Sequence, residues 1–313
     1  MFTTMAGQEI LGQCQSWTLN NDTELWVNAV ELTQDAASHH SNWTFVPDDK
    51  FVGPDGVWKC SERAYDQLSA ALAGGVLYAQ STQATHEVQK FPDGAAVRIP
   101  PFSRIIGDVH LLNTTTMTVT GHTKLALYSL AASDVTVKLA PFHLTYDGLN
   151  IPPHATSRFT GNCSLTSGFK SAGLSGFDTN IYFILPHTHS LATRFFVNMM
   201  GGPMDGEKLL EIGAYNAEAH GRAFNPPLST QGADGLSFGC EYANERDVAV
   251  RWGFGDQEMC ELLGFADSPV AYESSVDAAN GAGTDGSTEL FTAPCSSVVF
   301  QFDFKKPGGP GPM

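Results

Sequence analysis

Ile181-Tyr182-Phe183-Ile184-Leu185-Pro186-His187-Thr188-His189 is the stretch on which the reading of the fold turns. Its first five residues are β-branched, aromatic or aliphatic, the composition of a buried strand. In a strand, residues i and i+2 point to the same face. His187 and His189 therefore share one face while Thr188 points away, and the two imidazoles can reach one metal ion.

Similar runs recur on both sides of this stretch. Before it come 24–32, 96–99, 105–112, 115–119, 124–128 and 135–139. After it come 194–198, 209–212, 236–242, 248–254 and 297–304. Many alternate with period two, and Gly, Pro, Asn and Asp punctuate them. The 31 glycines and 17 prolines suit a chain of many turns. Helical pattern is scarce; 61–73 is the best candidate, with Ser61 as N-cap and Gly74-Gly75 as the stop. The pattern breaks around 146–153. The sequence thus predicts an all-β chain of two tandem antiparallel β-sandwich (jelly-roll) domains. Their expected bounds are 1–147 and 148–305, with a disordered Pro/Gly-rich tail at 306–313.

Composition narrows the classes. Hydrophobic residues make up 42% and charged residues 16% of the 313, which is globular. A formal net charge of −16 repels a phosphate backbone, so no nucleic-acid partner is expected. No apolar run is long enough for a membrane span, and residues 1–5 lack the basic and apolar segments of a signal peptide. The six cysteines (Cys14, Cys60, Cys163, Cys240, Cys260, Cys295) form no CxxC pair. An even count without zinc spacing favours disulfides and an oxidising compartment, secreted, extracellular or periplasmic. Six buried thiols in a cytosolic protein is the other reading of the count.

Two further stretches carry donors that could join or parallel the first pair. Glu258-Met259-Cys260 offers a thioether, a poor ligand for hard cations and a good one for Cu(I). His187, His189 and Met259 thus make a copper set. His39-His40 and His110 supply three more nitrogens. Adjacent strand residues face opposite sides, so His39 and His40 can meet one ion only if the chain bends there. His86, His122, His143, His154 and His220 have no motif around them and read as structural or surface residues.

Taken in order, His39-His40, Val109-His110-Leu111, His187-Thr188-His189 and Glu258-Met259-Cys260 resemble the motifs of the copper type II, ascorbate-dependent monooxygenases, and Cys240-Glu241-Tyr242 with Gly253-Phe254-Gly255 is closer to the dopamine-type branch. The resemblance runs from about Cys14 to Cys295. It implies bridges Cys14–Cys60, Cys163–Cys295 and Cys240–Cys260, and two copper ions per chain. His39, His40 and His110 would hold the electron-transferring ion. His187, His189 and Met259 would be the catalytic ligands. It also implies a C–H hydroxylation of a small organic substrate by O2, with ascorbate as reductant. Leu185 and Leu263 stand where the peptide-amidating branch has its substrate-binding arginine and tyrosine, so a C-terminal-glycine peptide is not the expected substrate; Leu111 replaces a tyrosine after the third histidine.

Other readings remain: a copper store or chaperone without turnover, a zinc hydrolase using Asp256 or Glu258 as base, or a structural or carbohydrate-binding sandwich. Asn42-Trp43-Thr44 and Asn113-Thr114-Thr115 are glycosylation sequons.

Overall fold

A computed structural model describes residues 1–35, 38–80, 84–216, 221–253 and 255–302. Strands dominate, with two short α-helices and three 3-10 turns among the described residues, so the chain is all-β. It divides into two compact units. One comprises Met1 to Pro141 together with Gln301 and Phe302; the other spans Phe142–Phe300. No helix among the described residues is long and apolar enough to cross a membrane.

The first unit contains a five-stranded sheet ordered Gly56–Lys59, Glu9–Thr18, Ser103–Leu112, Ser38–Pro47, Gly75–Ala79. Ser103–Leu112 is its centre and pairs antiparallel with Glu9–Thr18 and with Ser38–Pro47. Its position explains its sequence: 105–112 is almost wholly buried. Gly107 lies across from Trp43, and a Cβ there would come within 2.4 Å of the indole, so only glycine allows that ring to lie flat on the neighbouring strand. Trp43 stacks on Trp17 at 5.2 Å. A disulfide joins Cys14 to Cys60. Leu25–Gln34 pairs with Thr123–Leu130, His86–Lys90 and Ala95–Ile99 in a second sheet.

In the second unit, one sheet runs Lys208–Ile212, Ala192–Met200, Gly235–Asn244, Ala155–Ser164, Thr288–Pro294, Asn280–Asp285. In another, Asn180–Thr188 lies between Arg222–Ser229 and Cys260–Ala266. Ile181 and Ile184 of the latter share one buried cluster with Phe159, Val197 and Phe238 of the former, so apolar faces of both sheets make the core. Cys163–Cys295 and Cys240–Cys260 are both bonded, and no cysteine is free. Three bridges fit an oxidising, extracellular-type environment.

Several expectations need correction. The sheets are not purely antiparallel. In the first unit 137–139 runs parallel to 95–97; in the second, 142–145 runs parallel to 272–275 and 156–162 to 288–294. Parallel neighbours need a crossover rather than a hairpin, and in each case a long intervening segment provides it. The 61–73 helix is really two pieces. Cys60–Arg63 is a 3-10 turn stopped by Ala64 at φ 48°, and Gln67–Ala73 starts anew after Asp66, whose carboxylate accepts the Ser69 N–H at 2.7 Å. Asp66, not Ser61, is the cap. The expected strand at 115–119 begins only at Val119, because Asn113 draws Thr115 into a side-chain turn. That at 248–254 shrinks to Val250–Arg251. Phe254, His220 and the 306–313 tail lie outside the described residues.

Candidate functional site

His39 and His40 sit near the start of Ser38–Pro47, and His110 sits on the neighbouring Ser103–Leu112. The cross-strand register is Ser38 with Leu111, then His40 with His110. His39 is skipped. That irregularity is a β-bulge, one extra residue on one strand, and it turns two adjacent side chains toward one place. The bend demanded by the adjacent pair is therefore built in. The His39 and His110 rings lie 4.6 Å apart, His40 and His110 5.0 Å, and His39 and His40 5.3 Å. One ring nitrogen from each lies within 4.8 Å of the other two.

Those separations suit a metal cage. Metal–nitrogen bonds of about 2.0–2.1 Å put ligand nitrogens about 3.3–3.6 Å apart in tetrahedral or trigonal geometry, so a small rotation of the rings closes the set. His110 has a partner on its far side: Nε2 donates to Glu9 Oε1 at 2.8 Å. That bond fixes the tautomer and leaves the lone pair on Nδ1, the arrangement by which carboxylates orient ligand imidazoles. Burial pushes the His110 pKa down against the pull of Glu9, which favours the neutral, metal-binding form.

The second donor set lies where Asn180–Thr188 meets Cys260–Ala266. Thr188 pairs with Cys260 and His187 with Glu261, so His189 and Met259 are each the next residue beyond the last pair of this ladder. The His187 and His189 rings lie 5.1 Å apart at 85°, on one face as the alternation requires. His189 Nδ1 is 2.8 Å from the Gln257 carbonyl, which leaves Nε2 to carry the lone pair. Met259 is 3% exposed, and Tyr242 donates to its carbonyl at 2.8 Å.

Around these side chains are contacts that no motif signalled. Glu258 is 1% exposed and accepts backbone N–H bonds from His189 and Leu191. Burial raises its pKa to about 7, with those amides pulling the other way. Each oxygen is thereby engaged by a backbone amide from the turn after His187-Thr188-His189. His143, read from sequence as an unremarkable histidine, lies between Glu261 at 3.8 Å and Glu273 at 3.7 Å. Burial would lower its pKa, but the two carboxylates hold it at about 10. Burial likewise opposes ionisation of Glu261, and His143 brings it down to about 2. His86, His122 and His154 are exposed and pair with Glu31, Asp35 and Asp247.

No family model matches the chain, and no curated protein does. Among solved structures it is similar to the major capsid protein P2 from Bacteriophage PM2, at 7% identity over 85% of this chain and 97% of that one, with a TM-score of 0.33. It is also similar to PBCV-1 VP54 fitted into a cryo-EM reconstruction of the virophage Sputnik, at 7% identity over 84% and 90%, with a TM-score of 0.25. These findings correct the functional reading. Membership of the ascorbate-dependent copper monooxygenases is withdrawn, and so are the hydroxylation with O2 and ascorbate and its alternative, a copper store or chaperone. The comparisons return no family of that kind. The catalytic role for His187, His189 and Met259 goes with that assignment, and so does ascorbate as its reductant; whether the donor sets hold a metal is a separate question. Short motifs fix which donors can meet, not which reaction follows. At such scores the capsid structures put no other role in its place.

Proposed function

We propose that the chain is a metal-binding protein of two tandem jelly-roll sandwiches, each carrying one donor set for a late first-row transition-metal ion. The observation that carries this reading is the bulge at His39, which brings the adjacent rings of His39 and His40 onto His110. A sheet spends an irregularity in this way to re-aim side chains. Three neutral imidazoles suit Cu, Zn or Ni ions, with Cu(II) the tightest of these in the general order. His187, His189 and Met259 form the second set, and its thioether favours a softer ion, Cu(I). The bridged cysteines support a secreted or periplasmic setting, since disulfides persist in oxidising compartments.

The test is a titration of the metal-free protein with Cu(II) or Zn(II), read by calorimetry and by metal content after gel filtration. His110→Ala is expected to remove one equivalent while leaving the far-UV circular dichroism unchanged. Full metal uptake by a folded protein lacking His39, His40 and His110 together sinks the reading of the first centre.

A further inference from the structure

Met259 is on one segment and the two histidines are on another, and something must hold them in range before any ion arrives. After Met259 the chain is fixed by the Cys240–Cys260 disulfide, and its own carbonyl is fixed by Tyr242. Before Met259, Glu258 is tied by its backbone: its N–H donates to Arg251 O at 2.9 Å, and its carbonyl accepts from Gly253 at 3.1 Å. Its side chain then crosses to the other segment. Oε2 accepts the His189 N–H at 3.0 Å, and Oε1 accepts the Leu191 N–H at 2.7 Å. The carboxylate is buried, so these bonds have no water to replace them. A third link is His189 Nδ1 to Gln257 O.

We infer that Glu258 is a positioning residue whose carboxylate straps the turn after His187-Thr188-His189 onto the Met259 segment, setting the imidazole–thioether geometry in advance. The inference rests on reading His187, His189 and Met259 as a metal set. It differs from a bland packing role in what it moves. A strap acting on a ligand backbone changes affinity at this centre and leaves the His39, His40 and His110 centre alone. Groups that orient ligands in this way typically account for about 10- to 100-fold in metal affinity.

The experiment is Cu(I) binding by chelator competition on the full chain, together with amide hydrogen exchange. Wild type is expected to take two equivalents. Glu258→Gln keeps the length but offers one acceptor oxygen instead of two, and is expected to weaken the second equivalent about 10-fold or more. It is also expected to speed exchange at His189 and Leu191, while the first equivalent is unchanged. Glu258→Asp, which keeps two oxygens on a shorter stem, is expected to lie between Gln and wild type. Equal second-site affinity in wild type and Glu258→Gln overturns the inference while the metal reading stands. A wild type that takes up one equivalent, with His187→Ala unchanged, overturns the metal reading of this set and the inference with it.

Discussion

Asn113 and Asn244 make the same hydrogen bonds in two different units of the chain. Asn113 Nδ2 donates to the carbonyls of Thr4, Met5 and Met117, and its Oδ1 accepts from Thr115 N. Asn244 Nδ2 donates to Ile151, Pro152 and Val248, and its Oδ1 accepts from Arg246 N. Asn113 follows a central strand and Asn244 ends one, and each ties its chain to a two-stranded ribbon, Phe2–Thr4 with Val119–Gly121 or Asn150–Ile151 with Val250–Arg251. The match extends into the sheets. Leu111 pairs with Ser38 and His110 with His40, skipping His39; Tyr242 pairs with Ala192 and Glu241 with Arg194, skipping Thr193.

Replacing either asparagine removes a side-chain amide that bridges three carbonyls. Asn113→Ala and Asn244→Ala are each expected to cost about 3 kcal/mol in chemical denaturation, since a lost buried bond with its partner left unsatisfied costs about 1–3 kcal/mol. A cost under about 0.5 kcal/mol, the scatter of ordinary surface changes, would show the shared pattern to be incidental. The same burial bears on glycosylation. Asn113 is 1% exposed, so its sequon is expected to stay unmodified in protein secreted folded from a glycosylating host, as peptide mass spectrometry would reveal.

The bulge shared by the two units can be used constructively. Where the first unit has His39, His40 and His110, the second has Thr193, Arg194 and Glu241, with Glu241 accepting from Arg194 at 2.8 Å and from Arg158 at 2.5 Å. Thr193→His, Arg194→His and Glu241→His, combined with Arg158→Gln to remove the neighbouring cation, are expected to add one metal equivalent in a background lacking His110. A folded variant with no added uptake by calorimetry would mean that the bulge does not aim the side chains as described.

Glu9 offers a milder probe of the first centre. Glu9→Gln keeps the size of the His110 partner and removes its charge. It is expected to weaken metal binding about 10- to 100-fold, with thermal stability of the metal-free protein little changed because the carboxylate is partly exposed. Unaltered affinity would exclude Glu9 from orienting His110.

The His143 cluster predicts a pH dependence of stability. His143 has a raised folded pKa, so its contribution is complete below its unfolded value near 6.5 and is lost as pH rises through about 10. Glu261 is depressed, so its contribution is complete above about 4.5 and is lost as pH falls through about 2. The difference in melting temperature between wild type and His143→Gln is therefore expected to be widest between these limits, near pH 5–6, and to shrink toward pH 10. A difference that stays flat across that range would refute the ion-pair account.

What the sequence revealed, and what it hid, follows from range. Strand alternation is local, so 181–185 and 105–112 are legible, and His187 and His189 meet because period two alone puts them together. His39 and His40 meet through an irregularity set by register against Leu111 and His110, some seventy residues away, which no local pattern announces. Glu9 is further still from His110 in sequence. Glu258 was legible as a candidate base, but its two amide partners were not, and they change what it can do. The Asp66 cap was passed over because the left-handed turn at Ala64, which no local pattern announces, splits the segment and restarts the helix after Asp66.

The skipped residue in each unit has one more consequence. Three imidazoles, and two guanidinium groups around a carboxylate, are different electrical answers to the same backbone kink. On the proposed reading, the first takes its positive charge from solution; the second supplies that charge covalently. A lineage carrying this kink could pass between the two by a handful of codon changes, with the strands beneath left undisturbed.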